Sequence, residues 1–135
     1  MKHLIYLLLI FVSCKQKGTE SPIVGKWEYD RMELYSGEPI NLQDSMINNL
    51  HQQQKGLTFT FTGKNVFKVS NTKAKNPQDF VAEQPYELAA DKKNLVLKNN
   101  GRPDDNFAIV ELSDSLLKIN IFYSKEAYMV FAKKN

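Results

Sequence analysis

The chain is poor in the side chains that carry most metal and nucleophilic chemistry: among its 135 residues there is one cysteine, Cys14, and there are two histidines, His3 and His51. One cysteine excludes an intrachain disulfide framework and a cysteine-built zinc site. An excess of charge is missing as well. Eighteen Lys and Arg against fifteen Asp and Glu leave a formal +3, and the basic residues lie scattered among acidic ones rather than along a stripe that follows a phosphate backbone. Nucleic acid is not an expected partner. With 42% hydrophobic and 24% charged residues, the composition is that of one folded domain with a single core rather than a disordered or fibrous chain.

Long apolar runs are absent too. The longest, residues 4–12, has nine residues, whereas a spanning helix needs about 20. Lys2 before it and the small Ser13 after it complete the plan of a secretory signal. Phe11-Val12-Ser13-Cys14 resembles the lipobox of bacterial lipoproteins. That resemblance implies cleavage after residue 13 and a lipidated Cys14, with a thioether-linked diacylglycerol and an N-acyl chain as a stable membrane anchor. Lys15 follows where an inner-membrane retention signal commonly has Asp, so the implied address is the outer membrane of a bacterial envelope. Residues 14–22, continuing through KQKGTESP, read as the lipidated cysteine and a polar tether.

From residue 23 to 135 the chain reads as short β-type runs divided by turn clusters, near 24–34, 57–62, 65–70, 81–89, 94–98, 107–112, 116–123 and 127–133. Their mostly short links favour antiparallel pairing of sequence neighbours, since a parallel crossover needs a dozen residues or more. The expected fold is all-β: a small up-and-down antiparallel barrel of about eight strands. Side-chain alternation sets the register within it. A two-residue turn at Gly63-Lys64 would seat Lys68 opposite Phe59, whereas a three-residue loop with Asn65 left-handed pairs Phe61 with Phe67 and Phe59 with Val69. The same reasoning at Ser124-Lys125-Glu126 pairs Ile121 with Met129 and Ile119 with Phe131. For the run at 107–112 two faces remain open: Phe107 and Ile109, or Val110 and Leu112.

One segment departs from this pattern. Residues 41–50 place apolar side chains at Leu42, Met46, Ile47 and Leu50, which is helical spacing, with Asn41 as N-cap, Asp44 in the first turn and Gly56 beyond the end. The stripe is expected to lie across one end of the barrel, as a gate or as a plug. Gly25-Lys26-Trp27 at the start of the first run resembles the Gly-x-Trp signature of lipocalins and the wider calycin group, so the resemblance is to a lipocalin-like domain of a bacterial envelope lipoprotein. It implies that Gly25 and Trp27 form the barrel base, with Lys133 or Lys134 over the tryptophan where lipocalins place an arginine. The helix between the first two strands is similar to the portal helices of fatty-acid-binding proteins.

Catalysis is not expected. Without His3 there is one imidazole, His51, read as a solvated residue among glutamines, so neither a Ser-His-Asp constellation nor a set of histidine metal ligands can form. Asp104-Asp105 lies in a Gly/Pro turn without the acidic ladder of a calcium loop, and Gly63-Lys64 sits in a hairpin rather than at a helix N-terminus. No metal or cofactor is expected. What remains is binding. An eight-stranded barrel is about the size at which side chains fill the interior or leave room for one small ligand. The many inward rings, Trp27, Phe59, Phe61, Phe67, Tyr86 and Phe131, predict a largely filled interior with at most a shallow pocket at the helix end. A small apolar ligand or acyl chain would then meet Leu42, Met46, Ile47, Leu50, Phe59, Phe61, Phe67 and Tyr86. The alternative is a filled, non-enzymatic accessory barrel that grips another envelope protein through loops such as 71–80, with Lys73, Lys75 and Phe80.

Overall fold

The computed structural model of the chain describes residues 20–73, 76 and 82–135. The signal segment, Cys14, Lys75 and Phe80 lie outside the described residues. The elements follow in the order β1 (Gly25–Leu34), α1 (Ser45–Gln54), β2 (Leu57–Phe61), β3 (Val66–Asn71), β4 (Ala82–Leu88), β5 (Asn94–Leu97), β6 (Asp105–Leu112), β7 (Leu116–Asn120) and β8 (Ala127–Lys134). Each strand pairs antiparallel with its sequence neighbours, and β1 pairs with β8 to close the barrel. The eight runs expected from alternation are therefore eight strands, in the expected meander. Among the described residues no helix is long and apolar enough to cross a membrane.

Alternation fixes the β2–β3 hairpin: Phe61 pairs with Phe67 and Phe59 with Val69, and Asn65 takes φ 61° in the connecting loop. Lys68 thereby faces outward, where it meets Glu83 at 3.2 Å. At the β7–β8 hairpin the register differs from expectation by two residues, with Ile119 opposite Met129 and Leu117 opposite Phe131. A slip of two keeps every side chain on its face, so alternation does not detect it. Loop chemistry sets it instead. Asn120 donates through Nδ2 to the Ser124 carbonyl at 2.6 Å and accepts at Oδ1 from the Ser124 amide at 3.1 Å, ending β7 before Ile121.

The two open faces of β6 are both used, because the strand carries a bulge between Ile109 and Glu111. Ile109 pairs with Ile119 before it and Leu112 with Leu117 after it, while Val110 is exposed. A bulge inserts one residue and reverses the in-out parity of the strand beyond it. A second bulge, between Tyr29 and Arg31, does the same in β1, keeping Trp27, Tyr29 and then Met32 on the core side.

The helix begins later than its apolar spacing suggests. Asp44, not Asn41, is the N-cap: its Oδ1 accepts from the amides of Met46 at 2.9 Å and Ile47 at 3.3 Å, whereas Asn41 closes only the preceding turn onto Gln43. No residue of α1 is fully buried, and Leu42, Met46 and Leu50 of the expected stripe are exposed, Met46 by 76%. The half-buried side runs through Ile47, His51 and Gln54 instead. Beyond the helix Gly56 has φ 88°, and a Cβ there would come within 2.6 Å of Asn71 Oδ1, so only glycine makes the sharp return into β2.

Candidate functional site

The base of the barrel is solid. Trp27 is fully buried and its Nε1 donates to the Ile23 carbonyl at 2.8 Å, so the chain entering β1 is folded under the barrel by the indole itself. Lys133 Nζ lies 5.3 Å from the indole centroid, supplying the cation that the sequence allowed at that position. Gly25 has φ 141°, and a Cβ there would stand 2.7 Å from Lys133 Cε. Both residues of the Gly-x-Trp signature therefore serve one contact: the indole closes the base, and the missing Cβ lets the lysine stem cross it.

Above the base runs a chain of touching rings. Phe59 stacks on Phe131 with centroids 4.4 Å apart and meets Phe67 at 5.1 Å, and Phe61 meets Phe67 at 5.0 Å and Tyr86 at 5.1 Å. Tyr86 is anchored by its hydroxyl, which donates to the Thr62 carbonyl at 2.9 Å. Burial, with a smaller contribution from Glu20, pushes the Tyr86 phenol upward and keeps it a donor. Opposite these rings β5, β6 and β7 present mostly aliphatic side chains, Leu95, Leu97, Ile109 and Ile119.

Between the two walls lies a cavity of about 240 Å³, lined by Phe59, Phe67, Val69, Gln84, Leu95, Leu97, Phe107, Ile119 and Ile121. Its lining is apolar apart from Gln84. The buried rings fill the base as expected, and the hollow opens above them toward the end of the barrel where α1 lies. Rings that stack on each other along one wall occupy less of the lumen than the same rings spread around it. A second hollow of about 140 Å³ adjoins it through Ile121 and is bounded by Met32, Leu50, Phe122, Tyr128 and Met129.

The candidate residues divide accordingly. Phe59 and Phe67 line the larger cavity, while Phe61 and Tyr86 sit below it in the packed base. Leu50 borders the smaller hollow, and Leu42, Met46 and Ile47 border neither. What joins α1 to the barrel is a polar contact: Tyr29 Oη and His51 Nδ1 are 2.8 Å apart, with ring centroids at 5.6 Å. The Tyr29 phenol is pushed up to about 12, chiefly by burial and secondarily by the Asp30 charge, so it stays protonated and shares a hydrogen bond with His51 Nδ1. His51 is thus a structural partner of the barrel rather than the solvated residue its glutamine neighbours suggested.

Sequence reasoning missed Gln84 and left Phe107 as one of two open alternatives. Gln84 was legible in principle, since it is two residues before the inward Tyr86 on the same strand and so shares its face. For Phe107 the choice stayed open because the bulge between Ile109 and Glu111 mixes the two faces of β6.

A surface hollow of about 900 Å³ lies outside the barrel beside β4 and the 98–105 turn. Of its charged side chains Lys98 reaches Asp104 at 3.2 Å and Glu87 at 3.5 Å and Glu83 reaches Lys68 at 3.2 Å, exposed pairs of the kind found at solvated turns. No group of three or more His, Cys, Asp or Glu side chains placed to hold a metal occurs among the described residues.

No protein-family model matches the chain, and no curated protein matches it. Among solved structures it is similar to a lipocalin-like protein from Bacteroides uniformis ATCC 8492, at a TM-score of 0.51 and 16% identity over 84% of this chain and 99% of that one. It is equally similar in shape to an uncharacterized protein from Bacteroides eggerthii DSM 20697, with a TM-score of 0.51 and 14% identity over 83% and 99% of the two chains. At such identities the likeness concerns the fold. The chain folds as a lipocalin-like, closed eight-stranded antiparallel barrel with one short helix between its first two strands.

Proposed function

We propose that this barrel is a non-catalytic binding protein for a small apolar ligand, carried on the bacterial outer membrane by lipid on Cys14. The observation that supports it best is the cavity of about 240 Å³ between the Phe59–Phe67 wall and the Leu95–Ile119 wall. Ligand sites are mostly apolar and concave with a few placed polar groups, and this one is at the small end of their size range. An apolar cavity of about 150 Å³ accepts benzene, so by proportion this one accommodates a body on the order of ten carbons. A long acyl chain would extend out of it past Ile121 toward the second hollow. The lipobox-like Phe11-Val12-Ser13-Cys14 supports the anchor, and the tether after it would hold the barrel near the bilayer.

The test is native mass spectrometry of the protein released from its own envelope without detergent, followed by organic extraction. A stoichiometric adduct of modest mass is the expected result. A bare chain that takes up no offered apolar compound would refute the carrier reading. Anchoring is tested separately: Cys14→Ala should leave the membrane fraction, and retention at the unmodified level would refute lipidation.

A second reading is an accessory role toward another envelope protein. It is favoured by the exposed Tyr35, Phe122 and Tyr123, which stand in loops at the end of the barrel where α1 lies.

A further inference from the structure

Tyr123, in the loop between β7 and β8, carries an exposed ring on a backbone that bulky residues rarely adopt. Its φ is 54°, in the left-handed region, and 65% of its surface faces solvent. Such a conformation is costly for a residue with a large side chain and persists only where the surroundings impose it. Asn65 and Lys92 share the region, but they turn hairpins at the base, away from the cavity.

The loop imposes this conformation from both sides. Asn120, at the end of β7, holds the amide and the carbonyl of Ser124 with one carboxamide, and its Nδ2 also lies 3.1 Å from the Tyr35 hydroxyl. Ser124 Oγ in turn accepts from the amides of Glu126 at 3.1 Å and Ala127 at 3.2 Å. Between these fixed ends, Ile121 lines the cavity and Phe122 borders the smaller hollow. Tyr123 lines neither. The aromatic ring it meets is Phe107, with centroids 5.8 Å apart and planes inclined by 33°.

Phe107 is the part of the wall that needs support. Phe59, Phe67, Leu95, Leu97 and Ile119 are buried, so packing on all sides fixes their side chains. Phe107 is half-buried near the start of β6, with the hollow on one side of its ring and the surface on the other. Without a neighbour on its outer side, such a ring is free to leave the wall.

We propose that Tyr123 is a positioning residue: its ring backs Phe107 from the solvent side and keeps that ring in the cavity wall, and the left-handed backbone is what brings it there. This rests on the reading that the cavity takes an apolar ligand. It names the residue that sets the shape of the cavity's rim.

The experiment titrates the full chain with naphthalene, a body of the size the cavity accommodates, following amide shifts of Val69, Ile119 and Ile121 by NMR. Tyr123→Asn removes the ring and leaves a residue that tolerates the left-handed region. It is expected to bind naphthalene about two- to tenfold more weakly, the worth of one aromatic contact, with a melting temperature no more than about 3 °C below the parent's. Tyr123→Phe keeps the ring and should keep the parent's affinity. Phe107→Leu removes the ring being positioned, so Tyr123→Asn should have no further effect on naphthalene in that background.

Equal affinity of Tyr123→Asn and the parent, a loss shared by Tyr123→Phe, or a loss that persists undiminished beside Phe107→Leu refutes the support role while the apolar cavity stands. A melting temperature of Tyr123→Asn lower by more than about 3 °C refutes it as well, since the ring would then serve the fold rather than the site. If naphthalene shifts no cavity residue of the parent, the carrier reading falls and the support role with it.

Discussion

Changing Gly25 to alanine tests the physical meaning given to the Gly-x-Trp signature. Gly25 has φ 141°, a region that L side chains rarely enter, and holding a non-glycine residue there costs about 1–3 kcal/mol. The new Cβ would also stand 2.7 Å from Lys133 Cε, near the free end of a flexible side chain, so the lysine would swing away rather than the backbone yield. Swinging away removes Lys133 Nζ from its place 5.3 Å above Trp27, a contact worth about 0.5–1 kcal/mol where partly exposed. Together these predict a loss of about 1.5–4 kcal/mol for Gly25→Ala. In urea, with m about 2 kcal/mol per molar for a chain of this size, the midpoint falls by about 0.75–2 M. Trp27 is the chain's one tryptophan, so its fluorescence reports both unfolding and the removal of the cation. Lys133→Ala in the same background separates the two contributions: with the stem gone the alanine should cost only the backbone part, leaving a coupling of about 0.5–1 kcal/mol in the double-mutant cycle. A Gly25→Ala variant within about 0.5 kcal/mol of the parent, or a cycle with no coupling, would refute this account of the motif.

Four further outcomes are expected. Tyr29 has its phenol raised to about 12 against 10.0 unfolded, so between those values the unfolded chain has lost a proton that the folded one keeps; stability is fully present below about 10 and falls as pH rises through about 12, and Tyr29→Phe should flatten that alkaline limb in urea titrations. Asp44→Ala removes the cap of a helix with no fully buried residue, so hydrogen exchange at residues 46–54 should quicken while global stability drops by less than about 0.5 kcal/mol. The β6 bulge puts Ile109 inside and Val110 outside, so Val110→Asp should be nearly silent in a thermal melt and Ile109→Asp should cost more than about 3 kcal/mol; equal costs would place the bulge elsewhere. Val69→Phe puts a ring into the cavity, and should abolish uptake of a small apolar probe such as naphthalene without lowering the melting temperature, as read by titration and calorimetry.

The period of the hydrophobic signal decides which features of the barrel are legible in the sequence and which are hidden. Alternation tells in from out, so it excluded Lys68 from a position opposite Phe59 and placed Phe61 against Phe67. It does not distinguish a register from one shifted by two, and at β7–β8 that choice lay with the Asn120 carboxamide and the Ser124 backbone. Where a bulge changes the parity, as at Val110, both apparent faces are real on either side of it. The helix showed a further limit. Apolar spacing pointed to Leu42, Met46 and Leu50, yet the contact that ties α1 to the barrel is the hydrogen bond between Tyr29 and His51, and neither residue advertises the other across 22 positions. Gln84 was passed over for a related reason: one polar residue at an inward position reads as noise until its partners are known.

The hollow itself shows why counting inward rings does not locate the space a barrel leaves. Strand faces give the direction of a side chain, but its height depends on every ladder between it and the base, and its neighbours depend on which strands are adjacent. Here the inward rings of β1–β4 and β8 lie on contiguous strands and touch in sequence, from Tyr29 through Phe131, Phe59, Phe67 and Phe61 to Tyr86. The facing wall of β5–β7 offers shorter aliphatic chains, with Phe107 at the rim drawn to within 5.8 Å of Tyr123 in the β7–β8 loop. Aromatic surface is thus spent on aromatic surface, and the space forfeited opens between the two walls rather than under α1. A ligand entering there would meet ring faces on one side and methyl groups on the other.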